Sequence, residues 1–385
     1  MTPLARVPAT DVAALTAALA AALDGGPAVW PVPAGAAPAG APPAEVDDGI
    51  ALVVETSGST DAPKRVALSA DALRASAEAT HDALGDPGQW LLALPGHYIA
   101  GAQVIVRGLV AGTRTVVVEG EHFDPAAFAA ASAGLDPFVP HYTSLVPVQL
   151  SRLVEAAERD PFIAAAARSF DAVLIGGQAL APATADRARE LGVHVVRTYG
   201  SSETAGGCVY DGRPIGEARV RIVDDGVELA GPMLAAGYLA DPERTAAAFT
   251  TDARGIRWYR TGDLGALEAD GRLRIRGRAD DVIISGGVKV ALGEVERAVR
   301  ALPGLGDAVA VRVADPEWGE RAAVVVPEPP GGASASLDLL AEATDAAGLH
   351  PAARPVRLLV LDALPLLGSG KPDRRAIAAL LAAGA

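Results

Sequence analysis

The stretch "ETSGSTDAPKRV", residues 55–66, follows directly on the apolar run Ile50 to Val54 and ends on a lysine. A strand that feeds a turn of small hydroxyl side chains closing on Lys64 suggests phosphate binding. Hydroxyls and exposed backbone N–H groups donate to phosphate oxygens while an ammonium neutralises them. The GxxxxGK[ST] pattern is nevertheless missing: Gly58 is the only glycine of the loop, and Arg65 rather than Ser or Thr follows Lys64. The common phosphate loop of kinases and ATPases is therefore excluded.

Outward from this loop, "IALVVE", "WLLALP", "TRTVVVE", "FDAVLIGG" and "VHVVRTYG" alternate with Ala/Leu-periodic segments up to about residue 200. Such alternation predicts βαβ units in a doubly wound sheet, with ligands bound by loops at the carboxyl ends of the strands. The loop at 55–66, "GGQ" (176–178) and "YGSSET" (199–204) all occupy that position. From about 207 to 278 short strands and the turn signals "DDG" and "ADG" predict a small β subdomain. A compact α+β unit follows, with a strand near 281–285, a helix from about 291 to 302, strands near 307–314 and 321–327, then a helix, a strand and a last helix. At 385 residues two domains are expected, an N-terminal one over 1–279 and a C-terminal one over 280–385.

The chain is 50% hydrophobic and carries a net charge of −14, which argues against nucleic acid or an anionic membrane as the main partner. Any phosphate site must be a local cationic pocket. The single cysteine, Cys208, excludes an internal disulfide or Cys-rich metal site and fits a reducing cytoplasm. The segment Asp11 to Leu23 has Leu spacing suited to an amphipathic helix rather than a signal-peptide core. No apolar run reaches the roughly 18 residues of a membrane span. Of 33 basic residues only Lys64, Lys289 and Lys371 are lysines. Arginine bias makes each remaining lysine a place where a compact point charge is worth examining.

Eight motifs in order resemble the adenylate-forming superfamily of acyl-CoA synthetases, adenylation domains and luciferases: "TSGSTDAPK" (56–64), "LPGHYIAG" (94–101), "GGQ" (176–178), "YGSSET" (199–204), "AGPMLAAGYL" (230–239), "YRTGD" (259–263), "GRADDVIISGG" (277–287) and "GSGKPDR" (368–374). The resemblance implies a large N-terminal domain with doubly wound sheets and a small β subdomain, followed by a smaller, mobile α+β domain. It also implies a two-step reaction in which a carboxylate and ATP give acyl-AMP and pyrophosphate, and a thiol then attacks the adenylate.

In that reading Thr56, Ser57, Gly58, Ser59, Thr60 and Lys64 grip the β- and γ-phosphates and later the pyrophosphate. Gly177, Gln178, Tyr199, Gly200 and Ser202 join the nucleotide site, with Tyr199 offering a face to adenine. Glu203 is a hard oxygen ligand for Mg²⁺. Asp263 accepts from both ribose hydroxyls and Arg278 contacts the ribose and phosphate side. Lys371 is the mobile lysine that offsets repulsion between the two approaching anions. Asp280 matches the hinge, and Gly286 and Gly287 let backbone approach the pantetheine arm of CoA. Lys289 is a candidate contact for a CoA phosphate, an exposed surface lysine being the alternative.

Within the superfamily, "LALPGHYIAGAQVIVRGL" (92–109), "TSLVPVQLSRL" (143–153) and "YGSSETAGGCVYDG" (199–212) resemble the o-succinylbenzoyl-CoA synthetases of menaquinone biosynthesis. That resemblance implies an aryl dicarboxylic acid as substrate, with ATP, Mg²⁺ and CoA. The acid set is His97, Tyr98, Arg107, Ser144 and Gly176, with Arg107 matching the arginine associated with the carboxylate that does not react. A helix-capping arginine is the structural alternative for Arg107, and N-capping of "SLVPVQLSRL" is the ordinary role of Thr143 and Ser144. His97 precedes Tyr98 where the family usually has an aromatic residue and then His, leaving open which of them lines the pocket.

The phosphate loop is reached by residue 56, so the pocket is expected to be more open than in larger relatives or closed by a partner subunit in a homodimer. The competing readings are an adenylation enzyme loading another aryl acid onto CoA or a carrier-protein thiol, and a degenerate nucleotide-binding homologue. Retention of Lys64, Glu203, Asp263 and Lys371 disfavours the latter.

Overall fold

A computed structural model describes residues 1–33, 43–56, 64–120, 122–328, 335–367 and 371–383. Ser57, Gly58, Ser59 and Thr60 lie outside the described residues. The chain forms two compact units, one comprising Met1–Gly177, Ala188–Arg221 and Glu228–Thr261, the other Gln178–Arg187, Ile222–Val227 and Gly262–Ala385.

The first unit contains two sheets. In one, the order is Gly237–Tyr238, Lys64–Ser69, Ile50–Thr56, Ala28–Val32, Thr2–Pro8 and Glu45–Val46. Its three middle strands, Ile50–Thr56, Ala28–Val32 and Thr2–Pro8, are parallel, but Lys64–Ser69 returns antiparallel to Ile50–Thr56, with Thr56 opposite Lys64. The phosphate-loop stretch therefore joins two antiparallel neighbours, where the alternation had suggested a crossover between parallel strands. The other sheet runs Arg213–Pro214, Gly206–Tyr210, Val195–Ser201, Ala172–Ile175, His141–Leu145, Gln89–Leu92 and Val116–Val117. Its last five strands are parallel, as the βαβ pattern predicts, and its first two close one edge antiparallel.

Strand burial follows from being covered on both faces: Ala172–Ile175 and Gln89–Leu92 are buried at every position. The helix Val12–Leu23 packs Leu15, Leu19, Ala22 and Leu23 inward and is capped by Asp11, whose carboxylate accepts from the Ala14 N–H. The side chains that fill this unit include Trp30, Trp90, Phe128 and Tyr142.

In the second unit, Val288–Ala291, Val282–Ser285, Gly319–Pro327 and Val309–Asp315 pair antiparallel in that order, and Arg357–Leu361 adds parallel to Gly319–Pro327. Alternation along these strands builds two cores. Ala310, Val324 and Val326 pack with Val295, Val299 and Leu340 of the helices Leu292–Arg300 and Leu337–Ala346. Val309, Val311, Ala323 and Val325 pack with Ile377 and Leu381 of the helix Arg374–Ala383. The period of two is what a strand covered by helices on both faces requires.

Candidate active site

The "YGSSET" motif leaves the parallel strand Val195–Ser201 and turns through a short 3₁₀ segment, Ser202–Thr204, into Gly206–Tyr210. Gly200 is dictated by this fold-back, since a Cβ there would lie 2.1 Å from the Gly206 carbonyl oxygen. Ser76 holds the turn from outside by donating to the Ala205 carbonyl at 2.9 Å. Ser202 and Glu203 are buried.

Glu203 accepts from the Tyr238 hydroxyl at 2.8 Å, and the Ala235 N–H donates to its carbonyl at 2.9 Å, so "AGPMLAAGYL" packs on "YGSSET". Lys64 places its ammonium 5.7 Å from the centroid of the Tyr238 ring. Burial first, and the Glu203 carboxylate second, push the Tyr238 phenol well above its ordinary pKa, so it stays a hydrogen-bond donor. Three motifs far apart in sequence thus meet at Lys64, Tyr238 and Glu203. Gly176 and Gly177 follow the neighbouring parallel strand Ala172–Ile175, with Thr198 of the "YGSSET" strand against Gly176. Tyr199 and Gly200 sit at the register shift between this strand and Gly206–Tyr210.

The candidate acid residues surround the helix Ile99–Ala111. Tyr98 stands at its N-cap position and accepts from the Ala102 N–H through its carbonyl at 2.9 Å. His97 packs against it with ring centroids 4.1 Å apart. Burial lowers the His97 pKa and raises that of Tyr98, which keeps both neutral near pH 7. Arg107 is 3% exposed, with its guanidinium carbon 4.8 Å from the Trp90 ring centroid. Its Nε has no hydrogen-bond partner among the described residues. Burial pulls the guanidinium below its ordinary pKa, with Tyr210 opposing. The geometry removes the helix-capping alternative, because this arginine points into the protein.

Several polar groups near Arg107 have no partner among the described residues: both the amide nitrogen and the oxygen of Gln103, one turn earlier and fully buried, together with His81 Nε2 and Trp90 Nε1. Burial, then the Arg107 charge, drive the His81 pKa down to about 4. The sequence reading omitted Gln103 and His81. The i,i+4 spacing of Gln103 and Arg107 within "GAQVIVRG" was the available signal, two long polar side chains on one face of an otherwise apolar helix.

Thr143 and Ser144 are not helix caps. Both belong to the strand His141–Leu145, where Thr143 donates to the Leu91 carbonyl at 2.9 Å. Pro147 fixes the first helical turn and Val146 takes the N-cap position, its N–H donating to Gln149 Oε1 at 3.0 Å. Ser144 is buried in that strand.

The second unit carries the remaining candidates. Asp263 and Arg278 are opposite one another in an antiparallel pair, with the guanidinium 3.4 Å from the Asp263 carboxylate and 3.1 Å from that of Asp280. Arg312 donates to the Asp280 carbonyl. Burial pushes the Asp280 carboxyl up, but the Arg278 hydrogen bond and charge, with help from Arg312, outweigh it and hold it below its ordinary pKa. Gly286 and Gly287, at φ +57 and +81, form the turn between Val282–Ser285 and Val288–Ala291. A Cβ on Gly286 would also meet the Trp318 ring at 2.6 Å. Lys289 is exposed opposite Ile284. Lys371 is exposed; its carbonyl accepts from the Leu367 N–H at 2.8 Å, and an isolated bridge joins Leu366 to Pro372. Gln178 also belongs to this unit. Cys208 is buried, its thiol pushed up to about 12 by desolvation. Among the described residues no helix is long and apolar enough to cross a membrane.

Sequence profiles of the AMP-binding enzyme family match residues 6–239, and of the AMP-binding enzyme C-terminal domain residues 294–371. A protein of Mycobacterium tuberculosis (strain CDC 1551 / Oshkosh) named probable 2-succinylbenzoate–CoA ligase is 40% identical over 343 residues, 86% of this chain and 85% of that one. A Streptomyces protein named salicylyl-CoA synthase / salicylate adenylyltransferase is 30% identical over 360 residues, 85% of this chain and 62% of that one. Among solved structures, o-succinylbenzoate CoA synthetase from Bacillus subtilis in complex with its acyl-adenylate intermediate superposes with a TM-score of 0.72 at 25% identity. The match covers 85% of this chain and 69% of that one.

Proposed function

This chain belongs to the AMP-binding enzyme family, and from that premise we propose that it is an AMP-forming acid–thiol ligase of menaquinone biosynthesis. It activates o-succinylbenzoate as acyl-AMP with release of pyrophosphate and transfers the acyl group to CoA. The observation that carries the substrate is Arg107, a buried cation with no acidic partner among the described residues, beside the "YGSSET" turn. The substrate has two carboxylates. One reacts, and the other needs a fixed positive charge, which a site built for a monoacid such as salicylate does not.

The residues fit the nucleotide. The close Gly200–Gly206 approach leaves a side-chain-free edge beside Tyr199, whose ring takes adenine. Asp263, with Arg278 orienting its carboxylate, accepts from the ribose hydroxyls. Thr56 and Lys64, with Ser57, Gly58, Ser59 and Thr60 between them, hold the leaving pyrophosphate. Glu203 is a buried hard-oxygen donor. One such carboxylate suits Mg²⁺, which usually takes one or two carboxylates and completes its shell with phosphates and water. When bound, Mg²⁺ neutralises phosphate charge.

Chemistry at the α-phosphate falls to Lys371, assisted by Ser202. As the acid oxygen approaches phosphorus, both partners are anionic and charge grows on the non-bridging oxygens, so an ammonium placed there acts in the transition state. Such a contact is worth roughly 10²- to 10³-fold. Asp280 is the hinge between the 1–279 and 280–385 domains, and its motion exchanges Lys371 for the Gly286–Gly287 turn and Lys289, which receive CoA. A homodimer and a cytoplasmic location complete the proposal.

Incubation with ATP, Mg²⁺ and either o-succinylbenzoate or salicylate, with and without CoA, tests it. AMP and pyrophosphate formed with o-succinylbenzoate, and thioester only when CoA is added, are expected. ADP as product, or turnover of salicylate alone, overturns it. Light scattering of the purified protein checks the dimer.

A further inference from the structure

Gln103 is fully buried, and neither end of its amide is hydrogen-bonded among the described residues. Other buried glutamines of the same unit behave differently. Gln89 donates to the Arg114 carbonyl at 2.7 Å and accepts from the Asp136 N–H at 2.6 Å. Gln149 donates to the Ala93 carbonyl at 3.0 Å and accepts from the Val146 N–H at 3.0 Å. A structural glutamine in this protein pairs both ends with backbone. An amide left without partners in the interior is destabilising, so Gln103 is placed to bond to a bound group.

Both Gln103 and Arg107 turn toward Gly206: a Cβ built there would lie 3.5 Å from Gln103 Cγ and 4.0 Å from Arg107 Nη2. One amide side chain and one guanidinium therefore flank Gly206 from successive turns of Ile99–Ala111, and the Gln103 amide and Arg107 Nε have no partner among the described residues. Building on the ligase reading above, we propose that Gln103 is a specificity-determining residue whose amide Nε2 donates to the same unreactive carboxylate that Arg107 neutralises. Arg107 supplies the charge, and Gln103 fixes the position of the group relative to the reacting carboxylate.

The test compares wild type with Gln103→Leu on o-succinylbenzoate and on 4-oxo-4-phenylbutanoate, the same acid without the ring carboxylate. The readout is the ratio of the two kcat/KM values, which is independent of how much of each preparation is folded. A fall in that ratio of about 10- to 100-fold is expected, the worth of one hydrogen bond to a charged group. A ratio within twofold of wild type overturns the role of Gln103 while leaving the ligase assignment intact. Failure of wild type to activate o-succinylbenzoate overturns both.

Discussion

Replacing Arg107 by Met should leave the protein at least as stable and make it a worse enzyme. Arg107 is 3% exposed, stacked on Trp90, and faces no carboxylate among the described residues. Substituting buried ionic groups by apolar side chains of similar volume is often neutral or stabilising by about 1–4 kcal/mol, and here no ion pair is sacrificed. The lost cation–π contact offsets about 1 kcal/mol. A net gain of about 0–3 kcal/mol leaves Tm unchanged or raises it by up to roughly 12 °C in a unit of this size. The substrate carboxylate then enters an interior without a counter-charge. Leaving one member of a buried ion pair alone costs about 3–5 kcal/mol, so kcat/KM for o-succinylbenzoate should fall on the order of 10²- to 10³-fold, with the monoacid analogue much less affected. Differential scanning calorimetry with and without o-succinylbenzoate, beside pyrophosphate-release kinetics, gives both numbers. In the variant the acid should no longer raise Tm. A Tm several degrees below wild type, or equal losses for both acids, would show that Arg107 holds the fold together, and would refute the reasoning.

Lys371→Ala should reduce adenylation by about 10²- to 10³-fold yet leave CoA transfer from supplied acyl-adenylate nearly intact; equal loss of both half-reactions contradicts a two-conformation cycle. Asp280→Pro should do the reverse, slowing thioester formation more than adenylation, because proline fixes φ at the hinge, and single-turnover assays of each half-reaction separate the outcomes. His81 carries a pH signature. Burial and the Arg107 charge depress its folded pKa to about 4 against an ordinary 6.5, with Asp82 opposing weakly. The unfolded chain therefore binds the extra proton between these values. Stability from this group is fully present above pH 6.5 and declines as pH falls toward 4, by an amount on the order of 3 kcal/mol at most. His81→Gln should flatten urea-unfolding stability across that window, and an unchanged acid limb would remove His81 from the account.

Much of the fold was legible because its signals were local. The apolar runs Trp90–Leu92 and Ala172–Ile175 announce burial on both faces. The Gly286–Gly287 turn and the positive φ of Asp224 and Asp225 at +49 and +65 follow from residue chemistry alone. Strand direction was less accessible. Nothing in "ETSGSTDAPKRV" says that Lys64–Ser69 runs antiparallel to Ile50–Thr56, since that depends on which neighbour completes the sheet. The assignment of Thr143 and Ser144 to a helix start failed for a similar reason. Their hydroxyls suit a cap, but Pro147 and Gln149 define the helix entry three and more residues later, and the parallel partners Leu91 and Val173 hold Thr143 in the sheet. The i,i+4 spacing marks Gln103 and Arg107 as a pair, but that Gln103 has no partner among the described residues shows only once the packing is known.

The contrast among buried charges points to the site more sharply than any one motif. Glu228 is paired with Arg221 at 2.5 Å and Arg260 at 3.1 Å. Glu296 takes Arg300 at 2.9 Å and Arg374 at 2.7 Å, and Arg300 also donates to the Ala308 carbonyl at 2.7 Å. These sets satisfy the rule that an interior charge keeps an opposite charge beside it. Arg107 and Glu203 have no such ion pair among the described residues: the first lies against the Trp90 ring, and the second accepts from the Tyr238 hydroxyl. One is a cation and the other an anion, and they flank the turn from Glu203 to Gly206. An aryl dicarboxylate activated by Mg²⁺–ATP needs that combination, an interior cation for the carboxylate that must not react and an interior carboxylate for the metal. A protein selected only for stability would have paired both or replaced them with apolar side chains.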